Sequence, residues 1–293
     1  MRYNKEKGIV EIDHVRDFHP AHTFLCGQCF RWTENSDGSF DGIAYKKAVN
    51  VSFSEGTLII KNTTEDDFNN IWSHYLDLGR DYTSVKEILS SDTNLKNAIE
   101  YGYGIRILNQ EPWECLISFI ISTQNQIPRI KKIVNSLSEG FGNKILIEDR
   151  IYYTFPDADA LKGLCEEDLG FLKAGYRAGY IIDAVKKITS GEICLEKIFD
   201  MDYPSAKKEL MKIKGVGEKV ADCVLLFSYG KTEAFPIDVW VGRIMRNLYL
   251  SDEASIKDIR EESERLFGKY AGIAQQYLFY YARENNIQLN DGK

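Results

Sequence analysis

Hydrophobic and polar positions change their period once along this chain, and that change divides it. As far as about residue 62, apolar side chains alternate with polar ones, the two-residue period of a half-buried strand. The pattern predicts strands over 8–12, 24–33, 40–45, 49–53 and 58–61, with turn chemistry at Ser36-Asp37-Gly38 and Glu55-Gly56, hence an antiparallel sheet. From Thr64-Glu65-Asp66-Asp67, which resembles a capping box, the spacing turns helical and stays so. Helices are predicted over 64–78, 84–89, 95–102, 112–122, 128–141, 178–190, 204–213, 218–227, 239–248, 255–267 and 273–284. The fold class is therefore α+β, an N-terminal β-containing domain over 1–105 followed by a mostly helical domain over 106–293. No internal repeat or low-complexity linker is visible, and the segment whose period is least defined is 143–155.

Chemistry concentrates in the part of the helical body spanning 203–245. Gly215 and Gly217, in KGVGEK, can take positive φ and leave amide N–H groups at the start of the next helix unobstructed, a terminus that attracts phosphate. Lys207, Lys208, Lys212, Lys214 and Lys219 surround this turn against Glu209 and Glu218. Val220, Cys223, Val224 and Phe227 mark the buried stripe of the helix that follows. Lys219 stands at the edge of that stripe in the first turn, where the helix dipole and partial burial both disfavour an ammonium ion. A free lysine titrates near about 10.4, so an amine nucleophile at neutral pH needs such an environment. The alternative is a solvated lysine snorkelling from a half-buried helix. In FPIDVW, Pro236 fixes the approach and Asp238 can N-cap the next helix, either as a cap alone or as a fixed negative charge facing a pocket.

The run LMKIKGVGEKVADCVLLF…AFPIDVW is similar to the helix-hairpin-helix signature of the DNA glycosylase superfamily, and with lysine at 219 it resembles the eukaryotic-type 8-oxoguanine DNA glycosylase/AP lyases. CGQCFRW at 26–32, ECLISFIISTQNQIPRI at 114–130 and YAGIAQQYLF at 270–279 match the same family in the same order. The resemblance implies that Lys219 attacks C1′ and forms a Schiff base whose β-elimination nicks the strand, with Asp238 stabilising the oxocarbenium-like sugar. It implies a lesion pocket in which the Gly27 carbonyl accepts the N7–H of 8-oxoguanine, Cys223 and Phe279 sandwich the flipped base, and Gln275 bonds its Watson–Crick edge. Tyr176 matches the wedge that fills the vacated stack, Arg177 and Arg129 match cytosine-reading arginines, and Gln124 and Asn125 fall in the polar run that meets the opposite strand. Two positions depart from the family: Gln124 replaces an asparagine, and Trp240 stands where a histidine approaches phosphate. The implied partner is double-stranded DNA carrying oxidised guanine, preferably opposite cytosine, met by a monomer. The superfamily further implies a monovalent or calcium ion on the hairpin carbonyls of Met211, Ile213 and Val216. A monofunctional alkylbase glycosylase, which usually lacks the lysine, and a non-catalytic DNA-binding module are the alternatives.

Composition adds bounds. The 293 residues carry a net charge of −7, which runs against a nucleic-acid partner, but acid is concentrated over 55–92 while Arg129-Ile130-Lys131-Lys132 and the hairpin are basic. No signal peptide or membrane-length apolar run is visible, so a cytoplasmic location is expected and the six cysteines are expected to be free thiols. His19, His22, Cys26 and Cys29 superficially suggest zinc, but Cys26 and Cys29 would point to opposite faces of the predicted strand over 24–33. No cysteine follows Cys223, which excludes the C-terminal iron–sulfur cluster of related glycosylases.

Overall fold

The computed structural model describes residues 1–147 and 150–285. Its strands β1 (Arg2–Asn4), β2 (Ile9–Ile12), β3 (Trp32–Glu34), β4 (Phe40–Ala44), β5 (Lys47–Ser54) and β6 (Thr57–Lys61) form one antiparallel sheet in the order β1-β2-β6-β5-β4-β3. Alternation buries Val10, Phe40, Val51, Leu58 and Ile60 on one face. That face packs on helix α1 (Pro20–Phe24) and on a broken helix: α2 (Glu65–Asp67), a π turn over Phe68–Trp72, and α3 (Ser73–Tyr75). The predicted helix over 64–78 is thus interrupted, and its π turn helps carry Phe68, Trp72 and Tyr75 into the core under the sheet. Gly42 of β4 lies against the Trp32 indole, where a Cβ would come within 2.2 Å of the ring, so the neighbour of Trp32 on this strand has to be glycine.

Of the predicted strand over 24–33 only Trp32 and Thr33 form, as the start of β3. Residues 25–31 are an irregular, largely buried loop between α1 and β3. Cys26, Gln28, Cys29 and Phe30 are all buried, so there is no alternation of faces, and Gly27 sits at φ +94°. Side chains replace the missing ladder: Gln28 Nε2 donates to the carbonyls of Thr23 and Arg106, each at 2.8 Å, while its Oε1 accepts from Leu108 N at 2.9 Å. The parity argument against zinc falls with the strand. The four side chains concerned bond their own surroundings instead: His19 Nδ1 caps α1, His22 Nδ1 lies 2.7 Å from Tyr103 O, Cys26 Sγ donates to Thr23 O and Cys29 Sγ to Phe24 O.

The body comprises α4 (Tyr82–Leu89), α5 (Thr93–Tyr101), α6 (Pro112–Ser122), α7 (Ile127–Phe141), α8 (Arg177–Thr189), α9 (Tyr203–Leu210), α10 (Glu218–Tyr229), α11 (Val239–Leu248), α12 (Ile256–Phe267) and α13 (Ala271–Glu284). Tyr82, Val85, Leu89, Leu95, Ala98 and Ile99 of α4 and α5 join the larger core with Cys26 and Phe30, while Leu108 joins the core under the sheet, so the two cores interleave along the chain. Segment 143–155 holds a two-stranded hairpin, β7 (Lys144–Ile147) and β8 (Arg150–Tyr153), fastened to the sheet where Arg150 Nη1 and the Tyr152 hydroxyl donate to Asp41. Helix α10 is central. The stripe predicted on it widens to every residue from Val220 to Tyr229, and Phe227 stacks on Phe119 of α6 with centroids 5.5 Å apart.

Candidate active site

Helices α9 and α10 form a hairpin whose turn is closed by Val216 N donating to Ile213 O at 3.0 Å. Only Gly215 takes positive φ, at +84°, and a Cβ there would come within 2.1 Å of the Tyr180 ring. Gly217, at φ −88°, is the N-cap of α10, with open space where its Cβ would project. The turn therefore uses Gly215 for shape and Gly217 for access to the exposed amides. Two groups of α8 hold it: Asp183 accepts from Lys214 N at 2.7 Å and Lys187 donates to Lys212 O.

The lysine island is smaller than the sequence suggests. Lys207 lies 3.0 Å from fully buried Asp222, which also accepts from Tyr203 OH at 2.7 Å and Arg260 Nη1 at 3.1 Å. Lys212 pairs with Glu209 at 2.7 Å. Lys207 thus braces α9 against α10 and is not part of a phosphate grip.

A cleft of about 1770 Å³ opens in front of the hairpin, large enough for an extruded nucleotide, and both Lys219 and Asp238 line it. Lys219 is half-buried in the first turn of α10, its Nζ 5.4 Å from the centroid of the Phe119 ring. Asp238 N-caps α11, its Oδ1 accepting from Val241 N at 2.8 Å. Cys223, one turn beyond Lys219, lies within the influence of both. Burial pushes its thiol up to about 11, Lys219 opposes the shift, and Asp238 adds to it. An amine and a half-buried carboxylate therefore line one cleft, with a buried, neutral thiol one turn behind the amine.

Gly27, Phe279 and Arg283 line the same cleft. A Cβ on Gly27 would lie 3.4 Å from Phe279 Cε1 and 3.3 Å from Arg283 Nη1. One turn before Phe279, the Gln275 amide is buried and its Oε1 has no hydrogen-bond partner. An orphaned buried acceptor is costly, and a ligand offering N–H groups would satisfy it.

The N-terminal domain family of 8-oxoguanine DNA glycosylases matches residues 11–116, and the HhH-GPD superfamily of base excision DNA repair proteins matches residues 117–269. The chain belongs to the HhH-GPD superfamily. A probable N-glycosylase/DNA lyase of Methanothermobacter thermautotrophicus is 32% identical over 67% of this chain and 69% of its own length. The Clostridium acetobutylicum 8-oxoguanine glycosylase/lyase, solved with double-stranded DNA containing cytosine opposite 8-oxoguanine, superposes with a TM-score of 0.95 at 46% identity, covering 98% of this chain and 99% of that one. A 3-methyladenine DNA glycosylase from Archaeoglobus fulgidus shares the fold alone, with a TM-score of 0.77 at 22% identity over 95% of this chain and 99% of that one.

Within this HhH-GPD site the residues expected to meet the opposite strand divide into two sets. Tyr176 and Gln124 line the cleft and are exposed, with the Tyr176 hydroxyl 3.3 Å from Gln124 Oε1. Gln124 is held at φ +46°. Asn125 also lines the cleft, but its amide donates to Ile121 O at 3.0 Å. Exposed Arg129 donates to Lys173 O at 3.0 Å. Arg177 is not brought into the cleft. It is buried, and its guanidinium donates to the carbonyls of Thr123 (2.9 Å), Gln124 (2.9 Å) and Ala174 (3.1 Å), binding the wedge loop to the polar loop. Trp240 lines the cleft near Arg243, the indole in place of the family's histidine.

Sequence reasoning missed Arg283 and Gln276. Gln276, Phe279 and Arg283 are three and four residues apart, so they share one face of α13. Two polar residues bracketing a pocket aromatic on such a face were the available signal.

Proposed function

We infer that this chain is a bifunctional DNA glycosylase and AP lyase that excises 8-oxoguanine from double-stranded DNA. The observation that carries the reading is the convergence of Lys219 and Asp238 on one cleft at the mouth of the phosphate-accepting hairpin, a cleft that Gly27 and Phe279 also line. Activity of this kind is named for the relatives above.

The hairpin amides at Gly215 and Gly217 hold the strand's phosphates while the damaged nucleotide leaves the stack, at a cost of about a few kcal/mol that pocket contacts offset. Tyr176 fills the gap, and Arg129 and Gln124 are the exposed polar groups facing the orphaned cytosine. In the pocket the base lies between Cys223 and Phe279. The Gly27 carbonyl accepts the lesion's N7–H, a donor guanine lacks, and Gln275 Oε1 accepts from its Watson–Crick edge. The Lys219 amine nitrogen forms a bond to C1′ as the glycosidic bond breaks, that bond's electron pair leaving with the base. The Asp238 carboxylate, fixed by its cap, stabilises the positive charge that develops on the sugar. Opening of the sugar ring gives the Schiff base at Lys219 Nζ, and loss of a C2′ proton then expels the 3′ phosphate.

The carbonyls of Met211, Ile213 and Val216 would hold a monovalent or calcium ion that neutralises a DNA phosphate. Hard cations take oxygen donors, and the hydrogen bond closing the turn leaves the Ile213 carbonyl a second lone pair. No helix among the described residues is long and apolar enough to cross a membrane, and this function requires the compartment that holds the genome.

Duplexes carrying one 8-oxoguanine opposite each of the four bases test the reading. Base release with strand cleavage, fastest opposite cytosine, is expected. Release without cleavage would point to the water-activating alkylbase glycosylases, and binding without release to a non-catalytic module.

A further inference from the structure

The loop that carries Gly27 has an unusual distribution of hydrogen bonds. The carbonyls flanking Gly27 on both sides are taken by side chains: Leu25 O accepts from Arg283 Nη2 at 2.8 Å, Cys26 O from Gln276 Nε2 at 3.0 Å, and Gln28 O from Gln110 Nε2 at 2.7 Å. Among the described residues no hydrogen bond ends on the carbonyl of Gly27 itself. The Gly27 carbonyl is thus left free between neighbours that are each taken. Two of the three donors, Gln276 and Arg283, come from α13, the helix that also supplies Gln275 and Phe279. Arg283 does a second thing. Its guanidinium carbon lies 5.6 Å from the Phe279 ring centroid, while its Nη1 stands beside Gly27. One side chain therefore bridges the stacking ring and the glycine loop that line the same cleft.

We propose that Gln276 and Arg283 are positioning residues for lesion recognition, which hold the Gly27 carbonyl at hydrogen-bonding distance from the N7 edge of a base stacked on Phe279. The inference rests on the reading of Gly27 given above. Gln276 is buried, so its amide donates within the protein rather than to DNA, and its effect on the substrate passes through Cys26 and Gly27. Freed from these donors, the loop can rotate about the unhindered glycine, and the difference between a carbonyl meeting N7–H and one meeting a guanine lone pair is lost.

The test compares wild type with Gln276→Met, which keeps the volume and removes the donor, and Arg283→Lys, which keeps the charge and removes the fork. Each is assayed in single turnover on duplexes containing 8-oxoguanine, guanine or an abasic site. An abasic site has no base to read, so its cleavage reports folding and Lys219 chemistry without recognition. The expected result is 8-oxoguanine excision reduced about tenfold or more, a smaller 8-oxoguanine to guanine ratio, and abasic-site cleavage within about twofold of wild type. Unchanged discrimination in both variants overturns the proposal. So does a parallel loss of abasic-site cleavage, which makes the residues structural only. Failure of wild type to excise 8-oxoguanine at all would instead remove the functional reading itself.

Discussion

Replacing Gly27 by alanine tests the recognition loop at its narrowest point. At φ +94° a residue bearing a Cβ is strained by about 1–3 kcal/mol. The new methyl meets Arg283 Nη1 at 3.3 Å, Phe279 Cε1 at 3.4 Å and Ile127 Cδ1 at 3.7 Å, distances that neighbouring side chains accommodate with shifts of a few tenths of an ångström. Strain rather than collision therefore sets the stability cost. At roughly 2–4 °C per kcal/mol for a chain somewhat smaller than this one, Tm falls by about 2–10 °C. Relief of that strain turns the peptide and withdraws the carbonyl from N7–H, while the methyl narrows the gap beside Phe279. A lost hydrogen bond of about 1–1.5 kcal/mol corresponds to roughly tenfold in excision rate. Single-turnover kinetics on 8-oxoguanine, guanine and abasic-site duplexes, with a thermal melt of the same preparation, separate the effects. Excision and discrimination should fall while abasic-site cleavage stays within about twofold of wild type. A variant that melts lower yet discriminates as wild type does would refute the role given to this backbone.

Other perturbations follow from the same structure. Asp222→Ala leaves Lys207 and Arg260 without their buried acceptor, a loss of about 3 kcal/mol that calorimetry would read as a Tm lowered by several degrees; a change under 1 °C contradicts the brace between α9 and α10. Asp238→Asn keeps an oxygen to cap Val241 N, so its Tm should stay near wild type while base excision drops about 100-fold or more; excision unchanged would leave Asp238 a cap alone. Burial raises the Glu114 carboxyl to about 7, with Arg31 opposing. A carboxyl whose folded pKa is raised holds its proton longer in the fold than in the unfolded chain, so its contribution to stability falls as pH rises from about 4.5 through 7. Wild type should therefore lose about 2–3 kcal/mol relative to Glu114→Gln between pH 4 and 8, measured by denaturant unfolding, and a constant difference between them would contradict the assignment.

What the sequence made legible was chemistry tied to local geometry. Asp238 reads as a cap because Pro-Ile-Asp precedes an apolar periodic run, and the helix it caps spans the predicted residues. Lys219 stands out because a glycine turn must precede the helix that carries it. The loop over 25–31 was misread for the opposite reason. Its apolar density resembles a strand, but its hydrogen bonds come from Arg106, Leu108, Gln110, Gln276 and Arg283, about 80 to 258 residues away along the chain. No local pattern encodes partners that distant. Lys207 shows the same limit, since the carboxylates that neutralise it, Glu218 and Asp222, lie on α10, and Arg260, which shares both, lies on α12. The hairpin over 144–153 was lost because its pairs, such as Leu146 with Ile151, leave apolar side chains exposed.

The central claim is that one nitrogen, Lys219 Nζ, bonds covalently to the sugar of the damaged nucleotide. Incubating the protein with an 8-oxoguanine:cytosine duplex in borohydride, digesting the product and mapping the DNA-bearing peptide by mass spectrometry measures this directly. A reduced adduct on Lys219, absent from Lys219→Gln, is the predicted result. An adduct on another residue, or excision at the wild-type rate by Lys219→Gln, would contradict it.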